Sequence, residues 1–207
     1  MKQNYQRMME EEISRACGEE KRPTLLLHAC CAPCSSYVLE ALSPYFSITL
    51  FFYNPNISPA EEYAFRLDEL RRLVREMGLG DSVSVIDGGY ETERFSALAA
   101  GRESLAEGGA RCADCYRLRL GKTAEVAREQ GFDYFTTTLS ISPYKNAEWL
   151  NTIGAQEGER VGVPYLPSDF KKKNGYKRSC ELSEQYGLYR QDYCGCVYSK
   201  RQTEKEL

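Results

Sequence analysis

Two hydrophobic rhythms alternate along the chain. Short apolar runs stand at residues 24–28 (Thr-Leu-Leu-Leu-His), 47–53 (Ser-Ile-Thr-Leu-Phe-Phe-Tyr), 83–86 (Val-Ser-Val-Ile) and 134–138 (Tyr-Phe-Thr-Thr-Thr). Runs this short, rich in leucine, β-branched and aromatic residues, are predicted as buried parallel strands. Between them apolar residues recur every three or four positions, the mark of helices with one buried face. Residues 1–22 are predicted as an amphipathic helix with Met8, Met9 and Ile13 on one side, and residues 34–42 as a helix stopped near Pro44. The loop Asn54-Pro-Asn-Ile-Ser-Pro59 leads into a third helix, with Ser58 and Pro59 as its N-cap and first position. That helix turns Ala64, Leu67, Leu70, Leu73 and Val74 inward and ends beyond Met77 at Gly78 and Gly80. After an Asp87-Gly-Gly turn come a short helix at 91–100, an irregular stretch with Gly101, Gly108 and Gly109, and a long helix at 112–130 closed by Gly131. A last helical stretch spans residues 146–158.

Strands alternating with helices predict an α/β fold, a Rossmann-like and mostly parallel sheet flanked by helices. From Pro164 the pattern changes to lysines, tyrosines and three of the nine cysteines. Residues 1–163 are expected to form the α/β body with the metal site. Residues 164–207 are expected to be a cysteine- and lysine-containing C-terminal appendage, packed on that body as one domain overall. Ligands of open parallel sheets sit beyond the carboxyl ends of the strands. The turn after the first strand, His28-Ala-Cys-Cys-Ala-Pro-Cys34, is therefore the expected site, with the start of the 112–130 helix on the same edge.

Composition narrows the chemistry. A net charge of -3 over 207 residues excludes a globally basic coat for nucleic acid, though not a local basic patch. The N-terminus carries acidic residues where a signal peptide needs an apolar core, and the apolar run at 48–53 is far too short to cross a bilayer. A cytoplasmic, reducing environment with no membrane partner is expected. Nine cysteines, an odd number, exclude a fully paired disulfide framework within one chain. In a reducing compartment, clustered cysteines point instead to metal, cluster or redox chemistry. One histidine excludes Cys2His2 zinc sites.

The cysteines form groups. Cys30, Cys31 and Cys34 sit at a strand–helix turn, and Cys112 and Cys115 at a helix start. Helix N-termini favour thiolates, which suits ligation and redox work alike. Four thiolates from two such turns can hold a tetrahedral zinc or an iron–sulfur cluster. Cys31-Ala-Pro-Cys34 also has the spacing of a thioredoxin-type motif, but a preceding third cysteine is foreign to that motif. Cys194-Gly-Cys196 would close a small, strained and easily reduced ring, and spare metal ligands are the alternative. Cys180 has no assigned role, and core packing is the default for Cys17.

Taken together, His28-Ala-Cys-Cys-Ala-Pro-Cys34, Phe52-Tyr-Asn-Pro-Asn-Ile57, Arg111-Cys-Ala-Asp-Cys-Tyr-Arg117, Thr136-Thr-Thr-Leu-Ser140 and Tyr193-Cys-Gly-Cys196 resemble the epoxyqueuosine reductases of the QueH type. The resemblance runs from about Thr24 to Ser199. It implies an oxidoreductase that reduces epoxyqueuosine to queuosine at the wobble position of tRNA, using iron–sulfur chemistry and no cobalamin. It implies a 4Fe-4S cluster on Cys30, Cys31, Cys112 and Cys115, and a redox-active disulfide at Cys194 and Cys196. It further implies an adjacent second iron held by cysteine and aspartate, for which Cys34 and Asp114 are the candidates. An acidic residue at a helix N-terminus is equally a favourable cap.

Removing an epoxide oxygen takes two electrons and two protons, and an external electron donor whose identity the residues do not specify must supply the electrons. A Lewis-acidic iron and a one-electron cluster suit that demand. On the substrate side, Lys171, Lys172, Lys173, Lys177 and Arg178 are candidates for tRNA phosphates, with a solvated charged loop as the alternative. Tyr53, Tyr144, Tyr176 and Tyr193 are candidates for stacking on an anticodon base. His28 is either a proton donor, a hydrogen bond to a cluster sulfur, or a core residue. Two other functions fit parts of the chain: an ATP-dependent tRNA-modifying α/β hydrolase relative, and a zinc-stabilised RNA-binding module. Against the first, this chain has cysteines after the first strand where a Gly/Ser-rich phosphate loop would stand.

Overall fold

The structure is a computed structural model that describes residues 3–16 and 22–200. Cys17 lies outside the described residues. Four parallel strands form one sheet in the order β3-β2-β1-β4: β1 Thr24–His28, β2 Ser47–Phe52, β3 Val83–Asp87 and β4 Tyr134–Thr137. Helices α1 (Tyr5–Ala16), α2 (Ala32–Leu42), α3 (Ala60–Glu76), α4 (Thr92–Ala99), α5 (Ala110–Glu129), α6 (Ala147–Val161) and α7 (Gly175–Gln185) surround it. The α/β fold expected from the alternation is the one formed.

β1 is central, and its Leu25, Leu26 and Leu27 are fully buried because helices cover both faces. Burying each such leucine contributes about 1.5–3 kcal/mol. Leu25 and Leu27 point into the larger core with Val38, Leu39, Leu50, Phe52 and Leu70, while Leu26 meets Phe51, Ala124 and Phe135 on the other face. From β1 the chain steps to β2 and β3 on one side, then crosses back to β4 on the other. The crevice where strand order reverses therefore opens between the ends of β1 and β4, the position at which such sheets bind ligands.

Several boundaries differ from expectation for clear reasons. α2 begins at Ala32, two residues before Cys34, because Pro33 fits the first turn, where its missing N–H removes no hydrogen bond. α3 begins at Ala60, with Pro59 at the cap position. Its inward face is Tyr63, Arg66, Leu67, Leu70, Leu73 and Val74, and Ala64 is exposed. In α1, Met9 and Ile13 are buried one turn apart, and Met8 points outward at 39% exposure. β4 stops at Thr137, and Thr138–Ile141 is a 3-10 turn capped by the Thr137 side chain. Beyond Pro164, Leu166 and Phe170 are buried in the larger core, and α7 packs along α2.

Candidate active site

At the end of β1 the backbone turns directly into α2, and three thiols follow. The sulfurs of Cys30, Cys31 and Cys34 lie within 4.8 Å of one another, with Cys30 and Cys31 Sγ 3.8 Å apart. Thiolates held about 2.3 Å from a tetrahedral ion stand about 3.8 Å apart, so this spacing suits a single soft metal ion. Thr138, in the 3-10 turn just beyond β4, closes the other wall: its Oγ1 is 3.4 Å from Cys30 N and 3.6 Å from Cys30 Sγ. The trio thus sits in the crevice between β1 and β4. Hydrogen bonds from the Cys31 and Cys34 thiols, aided by the Arg119 charge, hold the Cys30 pKa well below its ordinary value. The same hydrogen bonds to Cys30 push Cys31 and Cys34 upward.

α5 brings the second pair from the side. Cys112, in its first turn, accepts a hydrogen bond from Gly108 N at 3.3 Å and packs with Cys30 against Tyr116, Leu120, Leu139 and Leu150. Cys115 is buried against Phe95 and Cys196, and burial raises its pKa to about 11. Both lie outside the tight trio. Asp114, between them, turns to Arg102 in an ion pair and faces an outer depression with Arg94, Arg117 and Lys122.

The tail brings the third group. Cys194 and Cys196 Sγ are 3.4 Å apart as free thiols. The hydrogen bond between the two sulfurs lowers the Cys194 pKa to about 5 and raises that of Cys196. Gly195 has φ +103°, and a Cβ there would meet Ile57 Cγ1 at 2.9 Å. Cys180, on α7, is free and partly buried.

Buried cations complete the site: Arg119 and Arg66, which no quoted motif contains, and Arg111, which opens the motif at 111–117. Arg119 is 3% exposed and donates to Asn54 Oδ1 at 2.5 Å and to His28 Nε2 at 3.3 Å. Among the described residues no carboxylate pairs with it, and its charge acts on Cys30 and Cys115 together. A guanidinium buried without a counter-anion is costly, so this arrangement suits anionic thiolates and hence a thiolate-bound metal or cluster. Arg119 follows Cys115 by four residues, one helical turn, which is the signal that could have revealed it. Arg66, equally buried, pairs with Glu62 at 2.7 Å and lies 5.3 Å from the Tyr193 ring centre. Arg111 donates to the carbonyls of Arg102, Glu103 and Leu105 and tightens the glycine-rich stretch before α5.

His28 is fully buried, with Nδ1 2.9 Å from Thr137 Oγ1. Its Nε2 lies 3.1 Å from the Tyr53 carbonyl oxygen, which only accepts, and 3.3 Å from Arg119 Nε, which only donates, so this nitrogen satisfies one of the two at a time. Burial and Arg119 lower its pKa to about 3. His28 is a neutral connector that orients Arg119 rather than an acid. Tyr53 is also fully buried and donates to Glu91, so it offers no face to a base. Tyr144, at 79% exposure, does offer one. Tyr176 lies under Arg190, and Tyr193 lies between Arg66 and Lys200.

In the basic run, Lys171 pairs with Asp169 at 3.1 Å, Lys173 with Glu10, and Arg178 with Glu40 at 2.7 Å. Lys172 and Lys177 are exposed. Lys145, Asn146, Asp169, Lys171 and Lys172 line one polar cleft.

Residues 25–202 match the family described as "Epoxyqueuosine reductase QueH". The chain is 44% identical to the Epoxyqueuosine reductase QueH of Streptococcus pyogenes over 200 residues, covering 96% of this chain and 78% of that protein. It is 42% identical to that of Staphylococcus epidermidis, covering 95% of this chain and 84% of the relative. Against that of Thermotoga maritima the identity is 36%, over 85% of this chain and 90% of the relative. A solved NMN synthetase from Francisella tularensis aligns with TM-score 0.47 and 12% identity over 94% of this chain and 77% of that chain. On the matched family and these relatives, the chain belongs to the epoxyqueuosine reductase QueH family, oxidoreductases of queuosine biosynthesis.

Proposed function

We propose that this chain reduces epoxyqueuosine in tRNA with an iron–sulfur site at the crevice between β1 and β4, independently of cobalamin, in the cytoplasm. Cys30, Cys31, Cys112 and Cys115 are the ligands assigned to a 4Fe-4S cluster. Cys34, whose sulfur belongs to the tight trio, is assigned to an adjacent iron, together with Asp114, which would have to leave its ion pair with Arg102 to join it. The observation that carries the reading is the buried Arg119, which has no carboxylate partner among the described residues and acts on Cys30 and Cys115 together. When bound, the cluster supplies one-electron transfer and the iron a Lewis acid for oxygen.

Cys194 and Cys196 are the redox pair. Their oxidation to a disulfide releases two electrons and two protons. Opening the epoxide and expelling its oxygen as water consumes two electrons and two protons, so one oxidation of the pair balances one turnover. An external donor then reduces the disulfide. Residues 1–163 carry the metal site, and 164–207 bring the pair and the tRNA contacts. Lys171, Lys172, Lys173, Lys177 and Arg178 are the assigned phosphate contacts, of which Lys172, Lys173 and Lys177 are exposed.

Anaerobic purification with iron, zinc and sulfide analysis tests the reading, alongside turnover on epoxyqueuosine-containing tRNA. Iron and sulfide in the wild type, lost in Cys30→Ser but retained in an inactive Cys194→Ser, are the expected results. A colourless protein with stoichiometric zinc overturns the iron–sulfur assignment. Cluster loss in Cys194→Ser overturns the division of the cysteines.

A further inference from the structure

We propose that the cleft between the starts of α1 and α6 holds unpaired nucleotides flanking the modified one, with Lys172 and Lys173 on their phosphates and Tyr144 stacked on a base. The inference rests on the reading of tRNA as the substrate, and names the path of its strand beside the metal site. The cleft encloses about 1230 Å³, more than the roughly 300–1,000 Å³ of a small-molecule pocket, so it suits a length of polymer. It also shares a wall with the crevice of the cysteine trio. Thr138, 3.6 Å from Cys30 Sγ, opens the 3-10 turn that ends at Ile141. Ser140 of that turn accepts a hydrogen bond through its carbonyl from Lys171 Nζ, a cleft residue, at 2.9 Å. A strand lying in the cleft therefore leads to the crevice across one short turn of chain.

The four lysines of the lining divide by their partners. Lys145 turns its ammonium to Glu107 at 3.1 Å, and that side chain is mostly buried. The Lys171 ammonium has three N–H groups. It faces Asp169 at 3.1 Å, the Ser140 carbonyl and, at 3.5 Å, the Lys145 carbonyl, so it fixes the wall. That work leaves the phosphates chiefly to the other two. Lys172 is exposed, and its side chain has no partner among the described residues. Lys173, 65% exposed, pairs with Glu10. Ion pairs so exposed hold weakly, so a phosphate can displace the carboxylate. Tyr144 precedes Lys145 and Asn146 of the lining, and its exposed ring meets no other ring and no cation among the described residues. An unpartnered ring beside free cations is the arrangement that binds unpaired nucleotides by stacking and charge together.

Fluorescence anisotropy tests this, with the full-length, metal-loaded protein and an end-labelled anticodon stem-loop carrying epoxyqueuosine, at graded salt concentrations. Lys172→Gln is expected to weaken binding about fivefold near 0.1 M salt and to reduce the slope of log affinity against log salt by about 0.7. Tyr144→Ala is expected to weaken binding about tenfold with the slope unchanged. Arg75→Gln removes an exposed cation from the last turn of α3 and should leave affinity and slope at wild-type values. Both cleft side chains are exposed, so the circular dichroism of their variants should match the wild type. A wild type that binds, with both cleft variants binding as it does, overturns the cleft and leaves the tRNA reading standing. Equal weakening in Lys172→Gln and Arg75→Gln means general charge alone and overturns the cleft as well. A wild type that does not bind the stem-loop overturns both.

Discussion

The trio at Cys30, Cys31 and Cys34 and the pair at Cys194 and Cys196 are held in opposite ways. The trio stands on backbone: β1 is paired on both sides, α2 follows at once, and Thr138 closes the far wall. The pair lies on irregular chain beside Gly195 and is held by side chains: nearby Ser199, itself bonded to Glu107, and Arg66 from α3. A ligand set benefits from positions that do not relax, whereas a pair that makes and breaks a bond must close from 3.4 Å to about 2.05 Å and reopen. Rigid support beneath one group and adjustable support around the other match those separate demands.

The comparison can be broken most forcefully at Phe170, which lies in the tail but is 1% exposed in the core beneath the trio. Phe170→Ala is expected to destabilise the protein by about 3–5 kcal/mol in a single cooperative transition. A denaturant melt showing the tail unfolding alone, with the body intact, would contradict the shared core. Next in size is Arg119→Met, which removes the cation between Cys30 and Cys115 and leaves Asn54 and His28 without their donor. A loss of about 3 kcal/mol is expected, with reduced metal content by elemental analysis, while disulfide exchange at the pair persists. Undiminished metal content would sink the charge argument.

Gly195→Ala probes the other side of the contrast. It forces a side chain into φ +103° and toward Ile57, and a cost of about 1–3 kcal/mol is expected. Turnover should fall while iron and sulfide stay at wild-type levels. Equal loss of metal would mean the pair and the trio are not separately supported. The smallest effect concerns Glu91, whose pKa is lowered by the Tyr53 hydroxyl and Arg94. A depressed carboxylate stabilises the fold above its unfolded pKa and loses that contribution as pH falls through the folded one. Glu91→Gln should therefore flatten the acid limb of a stability–pH profile below the ordinary carboxylate range and leave metal content unchanged.

Some of the site was legible because it is local. Cys30, Cys31 and Cys34 share one turn, and the strand–helix alternation put that turn at the carboxyl end of β1, where it lies. The basic run was legible as charge but not as partners: Glu10, Glu40 and Asp169 come from other elements or sit outside the run. The inward face of α3 was read from apolar spacing alone, which passes over an arginine. Arg66 is buried there because Glu62 and the Tyr193 ring accept its charge, and both partners must be in place before that burial is tolerable.

The alternation of apolar runs and amphipathic stretches was sufficient to determine a parallel α/β sheet, because buried strands and half-buried helices need different periods. Cysteine spacing likewise determined which thiols share a turn. Which turns meet was decided only in three dimensions. Strand order put β4 beside β1, so that Thr138 faces Cys30, and packing carried the Arg119 charge to Cys30 and Cys115. A spacing rule sees neighbours within a turn or two of chain. The charges that make buried thiolates tolerable come from far along it, brought together by the core that buries them.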